Sequence, residues 1–253
     1  ALEEGVRGIG DAARGVSLWG EPVPIISGNV SLYNDTPEGG PIPPSAIVCC
    51  VGVIADASKT ATMQCKEKGS ILLLIGEPKD ECGGSAYYEV LEGMAGALHD
   101  SLLGSNVPRP DFASVGTLIS CVTKLVGEGS VISCHDVSDG GLLLALFEML
   151  IPRRKIKKGF GMDIDLASYD GKLRTDTLLF TQSPAFIIEV DPGEQDDVVH
   201  YCAEKGVPVH LLGNVTDTGV ITIRRNGMTL RFPFKELHEL WLEGLEKAWD
   251  TSH

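Results

Sequence analysis

Several short stretches set chemistry-bearing residues beside glycine. Ser27-Gly28-Asn29-Val30-Ser31 follows the apolar run Val23 to Ile26. A glycine at a strand end lets the backbone approach a phosphate, the neighbouring Asn carbonyl suits Mg²⁺, and in an extended chain Ser31 faces the same side as Asn29. A polar turn without a ligand is the alternative. Ser138-Asp139-Gly140-Gly141 follows His135-Asp136-Val137. Carboxylates where a strand ends and a helix begins are placed to hold a phosphate-bound metal, unless Ser138 or Asp139 simply caps the helix. Gly83-Gly84-Ser85 offers either free helix N–H groups to an anion or glycine dihedrals and a serine cap to the chain. Its spacing is neither a Walker A loop nor a dinucleotide fingerprint. Arg153-Arg154-Lys155-Ile156-Lys157-Lys158 is the basic cluster. It fits a phosphorylated ligand or RNA, or a solvated loop after a helix C-terminus, where cations are favoured. His135 beside Asp136 resembles an acid–base pair, but adjacent strand residues face opposite ways, which weighs against it.

The elements that must position these residues follow from apolar periodicity. An amphipathic helix is predicted over 2–14, ended by Gly15, then a short strand over Val23–Ile26, extended chain from Val30 to Tyr33 and a turn-rich loop over 34–44. Ser45–Ile54 is apolar enough for a buried strand. Next come a strand over Ile71–Ile75, a helix carrying Tyr87, Leu91, Met94, Ala95 and Leu98, and another over Ser114–Val126. A strand at 130–137 and a helix at 142–150 bracket the Ser-Asp-Gly-Gly turn. Strand 185–190, helix 193–205 and strand 207–215 precede a hairpin of 219–224 with 228–233 around Asn226-Gly227, a strong turn signal. Phe234 to Trp249 closes the chain as an amphipathic helix with Leu237, Leu240, Trp241, Leu245 and Trp249.

Composition bounds the function. The 253 residues carry a formal net charge of −14, which opposes broad binding to a nucleic-acid backbone. The longest apolar runs, Ile71–Ile75 and Leu142–Phe147, fall short of the roughly 20 residues a spanning helix needs, so no membrane anchoring is expected. With 30 glycines, 14 prolines and 6% aromatics, the chain reads as turn-rich α/β or α+β. The odd count of cysteines, mostly in apolar stretches, predicts buried reduced thiols in a cytoplasmic protein. Without CxxC or HxxxH spacings, no structural zinc is expected. The chain opens directly in a helical pattern without Met, which predicts a piece of a longer protein.

Taken in order, Ile26-Ser27-Gly28-Asn29-Val30-Ser31-Leu32-Tyr33-Asn34-Asp35-Thr36, Ile42-Pro43-Pro44, Val51-Gly52-Val53-Ile54, Leu74-Ile75-Gly76-Glu77, Gly83-Gly84-Ser85-Ala86-Tyr87-Tyr88 and His135-Asp136-Val137-Ser138-Asp139-Gly140-Gly141-Leu142 resemble one family. They look like the C-terminal half of the synthetase subunit of the phosphoribosylformylglycinamidine synthases. The Asp-Val-Ser-Asp-Gly-Gly-Leu stretch is shared with aminoimidazole ribonucleotide synthetase and its relatives. The resemblance implies an α+β chain: a partial, half-barrel sheet domain over 1–64, a two-layer α+β synthetase C-terminal-like domain over 65–233, and a C-terminal helix over 234–253. It implies ATP-dependent amidation of formylglycinamide ribonucleotide with ammonia from a separate glutaminase subunit, with ATP and Mg²⁺ as cofactors. Within the motif, Gly28 would contact ATP, Asn29 would ligate Mg²⁺ and Ser31 would touch substrate, while Asp136 would hold an auxiliary Mg²⁺. The catalytic histidines and main metal carboxylates would lie in an N-terminal half, so this chain alone is expected to be inactive. That half or a self-dimer, the glutaminase and a small accessory subunit are the implied partners. A non-catalytic scaffold, or another ATP-using member of the superfamily, is the alternative. Phe180-Thr181-Gln182-Ser183-Pro184 stands where the family's first half carries a Glu-containing substrate stretch and reads as a vestige of duplication.

Overall fold

A computed structural model describes residues 2–17, 20–29, 45–95, 102–151, 159–167, 169 and 173–250, with side chains for all of these except 95 and 245–250. Its helices are α1 (Leu2–Val16), α2 (Ala86–Ala95), α3 (Phe112–Glu128), α4 (Gly141–Glu148), α5 (Thr175–Phe180), α6 (Gln195–Glu204) and α7 (Phe234–Asp250). Its strands are β1 (Ile71–Ile75), β2 (Ser133–Asp136), β3 (Gly161–Asp165), β4 (Phe186–Val190), β5 (Val209–Thr216), β6 (Val220–Arg225) and β7 (Met228–Pro233). The strands form one open sheet in the order β2-β4-β1-β5-β3-β6-β7, and β3–β6 is its parallel pair. The class is the expected α+β.

The run Ile-Leu-Leu-Leu-Ile of β1 is apolar at every position because both faces of the central strand are covered. Leu72 and Leu74 pack with α4 and α5 residues such as Leu146 and Leu178. Leu73 and Ile75 pack with Leu118, Cys121 and Leu125 of α3 and Val198 and Cys202 of α6. At the other end of the sheet, the face of β3 and β6 away from the first core carries the exposed pair Arg224–Asp163. Two layers at that end thus become three around β1. Across β1, Leu72 pairs with Gly213 but Leu73 with Leu211, a bulge that buries Leu212. Gly213 has φ +150° there, and a Cβ would overlap the Asp163 carbonyl of β3.

One polar group is built into the core. Glu189 of β4 is fully buried, and its carboxylate accepts hydrogen bonds from the Lys66 and Glu67 amides (3.0 Å each at best) and from Ser70 and Ser133 hydroxyls (both 2.7 Å). Such satisfaction is what lets a carboxylate sit inside. It ties the turn before β1 to β2 and β4.

The strong turn signals are realised directly. Asn226 (φ 51°) and Gly227 (φ 76°) both take positive φ, as a two-residue β6–β7 hairpin demands. Gly129 (φ 87°) ends α3 with its N–H on the Leu125 and Val126 carbonyls. Elsewhere the sequence expectations need correction. Val23–Ile26 and Ser45–Ile54 are not strands: Ile47 and Val53 are 98% and 96% exposed, because no described segment lies beside them to complete a ladder. The half-barrel therefore does not form among the described residues. Strand β3 and helix α5, in the stretch after the basic loop, go beyond the sequence expectations: β3 is short and carries Asp163 and Asp165, and α5 is only six residues long. Cys49 and Cys50 are exposed rather than buried, like the rest of the segment 45–54 that carries them. Val30–Tyr33, the loop 34–44, Leu98 and the basic cluster 153–158 lie outside the described residues. So do the side chains of Leu245 and Trp249.

Candidate functional site

Gly28 and Asn29 lie in exposed irregular chain after α1, and a Cβ on Gly28 would meet nothing within 4 Å. Ser31 lies outside the described residues. Asp136 ends β2 with its side chain 59% exposed. No hydrogen bond or ion pair joins Asn29 to Asp136 among the described residues.

The turn after Asp136 has a structural reason for its glycines. Gly140 (φ 80°) and Gly141 (φ 68°) both take the left-handed region. A Cβ on Gly141 would stand 2.6 Å from Phe180 Cα and 2.7 Å from the Leu179 carbonyl, so these glycines let α4 start against the end of α5. The expected cap by Ser138 or Asp139 is not made: Gly140 occupies the N-cap position, without a side-chain bond. Gly83 is also a close-approach glycine, with Asn106 N 2.5 Å from a Cβ. Ser85 is buried and caps α2, accepting from the Tyr88 amide at 3.3 Å. Packing therefore explains Gly83 and capping explains Ser85 without an anion, while a Cβ on Gly84 would meet nothing within 4 Å.

The His135–Asp136 pair, disfavoured by strand alternation, is in contact. His135 Nδ1 is 3.2 Å from Asp136 Oδ1, and its Nε2 is 3.0 Å from Glu148 Oε2 at the end of α4. The imidazole is 11% exposed. Asp136 is the last residue of β2, and the eight-residue length of α4 brings Glu148 back to the same ring. Nothing in the spacing of His135 and Glu148 signals that meeting.

A second cluster lies beyond β1. Glu77 accepts from Tyr169 Oη at 3.1 Å and stands 3.0 Å from His210 Nε2 through its other oxygen. Glu77 also borders a cleft of about 490 Å³ between the start of α3 and the turn after α6, walled by Pro110, Pro184 and Pro208 with Lys79 and Lys205 at its rim. Beside α5, the Arg174 hydrogen bond holds the Asp176 carboxyl at about 2, with burial opposing and Tyr87 Oη adding. Tyr87 itself is pushed up to about 12 by burial and by Asp176.

Among the described residues, no group of three or more His, Cys, Asp or Glu is arranged to hold a metal ion. Asn29 and Asp136 each offer an exposed oxygen donor. That suits Mg²⁺, which keeps waters and phosphate oxygens and takes few protein ligands, but it is not a complete cage. Among the described residues no helix is long and apolar enough to cross a membrane.

A single mixed sheet with the Asp-Gly-Gly turn leading into an apolar helix defines a known class. The family model for AIR synthase related protein, C-terminal domain, matches residues 67–226, and the chain belongs to that family. Within it, the chain is 38% identical, over 98% of its length, to the phosphoribosylformylglycinamidine synthase subunit PurL of Methanothrix thermoacetophila. It spans 31% of that relative, and 28% of the PurL subunit of Thermoanaerobacter sp., to which it is 36% identical over 90% of its own length. The fold is also that of T. maritima PurL complexed with FGAR: TM-score 0.59 and 16% identity, over 72% of this chain and 30% of that one. T. maritima PurL complexed with ATP gives a TM-score of 0.53 and 14% identity, over 71% and 27%.

Proposed function

We propose that this chain is the C-terminal part of the ATP-dependent carbon–nitrogen ligase that converts formylglycinamide ribonucleotide to formylglycinamidine ribonucleotide in purine biosynthesis. The observation that carries the reading is the 38% identity to a PurL subunit along 98% of the chain. On this reading Gly28 approaches ATP, Asn29 donates its carbonyl to Mg²⁺, Ser31 touches substrate, and Asp136 contributes to an auxiliary Mg²⁺ site. Bound ATP would supply the phosphoryl group that activates the glycinamide carbonyl oxygen for displacement by ammonia. The open surroundings of Gly28 leave room for a nucleotide. Catalytic groups, a glutaminase, a small accessory subunit and an N-terminal half or second copy complete the enzyme, in the cytoplasm. The division into 1–64, 65–233 and 234–253 belongs to the same proposal.

The exposed Ile47, Val51 and Val53 favour a second reading, in which this half only docks partners. Asn29→Ala in the assembled enzyme separates the two. On the ligase reading, catalytic efficiency falls by about tenfold or more and added Mg²⁺ partly restores it, as the loss of one metal ligand implies. An unchanged Mg²⁺·ATP dependence would establish the scaffold.

A further inference from the structure

We propose that Cys121 and Cys202 form a latent disulfide site, closed by a hydroperoxide, that staples α3 to α6. The two sulfurs lie 3.4 Å apart, on helices 81 residues apart in the chain. Both are buried against β1 and β4, in the core that also holds Leu118, Leu125 and Val198. Thiols already in contact need only a small side-chain movement to reach bonding distance.

The two sulfurs are not equivalent. Lys124 Nζ of α3 and Lys205 Nζ beyond α6 flank the Tyr201 ring, 4.7 and 5.7 Å from its centroid. Burial pushes the Cys121 thiol up, while the Cys202 hydrogen bond and the Lys205 and Lys124 charges pull it down. Burial and Cys121 together push Cys202 up to about 12. The attacking sulfur is assigned to Cys121, whose raised thiol the Lys205 and Lys124 charges draw back down.

Its thiolate attacks a peroxide oxygen, the O–O bond breaks, and hydroxide leaves to give the sulfenic acid. Cys202 then attacks the Cys121 sulfur. The S–S bond forms, the S–O bond breaks, and the departing hydroxide takes up the Cys202 proton as water. In sum, two thiols lose two electrons and two protons, and the peroxide becomes two waters. Burial makes the reaction slow and shields its product from reductants.

The test uses the full chain with exposed Cys49 and Cys50 replaced by Ser, treated with hydrogen peroxide. It is then denatured, alkylated and mapped by mass spectrometry. The expected result is a Cys121–Cys202 cross-linked peptide that survives dithiothreitol applied to the native protein and is lost when the reductant follows denaturation. The thermal midpoint should rise by several degrees, as loop closure over that length implies. Cys202→Ser should instead leave an oxygen adduct on Cys121. Two alkylated thiols after prolonged peroxide, or adducts without a cross-link in the parent, would overturn the proposal, and the parent's map decides whether or not that variant folds.

Discussion

At the scale of single residues, chemistry and structure are hard to tell apart in the sequence alone. Asp136 stands out because of the glycines after it, yet those glycines serve the close approach of α4 to Phe180. Ser85 reads equally as anion site or cap, and it caps. Glu189 escapes notice because a single Glu in Phe-Ile-Ile-Glu-Val looks like a surface position, and its donors come from residues 66–70 and 133. Asp176 gives a residue-scale prediction. Its carboxyl is held at about 2 in the folded state, against an ordinary value of 3.8. The stabilisation is thus full above about pH 4 and is lost as pH falls through 2. Because its partner Arg174 is mostly exposed, screening keeps the contribution under about 1 kcal/mol. Asp176→Asn should lower the thermal midpoint by at most about 2–4 °C at pH 6 and by much less at pH 2. An equal difference at both pH values would contradict the assignment.

At the scale of elements, helices and strands with a strong period are legible: β1 is read to the residue, and the β6–β7 hairpin follows from Asn226-Gly227. What is not legible depends on neighbours. Ser45–Ile54 has strand composition but no ladder beside it, and β3 forms because β5 and β6 flank it. The reason for each glycine is equally a matter of what lies opposite. Gly141→Ala should cost about 2–4 kcal/mol, since it combines a positive φ with backbone overlap at Phe180. Gly84→Ala, with nothing within 4 Å, should change stability by less than about 1 kcal/mol. Urea midpoints of the two variants check this, and a comparable loss in both would mean that α4 and α5 do not meet as described.

At the scale of the whole molecule, the sheet and its two cores draw on residues from about 61 onward. Residues 1–60 contribute α1, which meets α3 by close approach at Gly15 and Gly116 and buries no side chain of its own. A chain starting at residue 61 should unfold cooperatively, with a midpoint within about 5 °C of the parent's. Starting instead at residue 71 removes the amide and Ser70 partners of Glu189, a loss of about 3 kcal/mol that lowers the midpoint by about 6–12 °C. Calorimetry of both pieces is the check, and a non-cooperative transition in the longer one would refute the proposed domain division. The central place of β1 also sets a timetable. Its neighbours are β4 and β5, and the buried Glu189 lies 123 residues beyond Lys66. At ribosomal speeds of about 5–20 residues per second, those neighbours follow only after roughly 6–25 s. For that interval the most apolar strand of the molecule is a nascent segment without a sheet, and keeping it from other chains falls to the cell's folding machinery rather than to the fold.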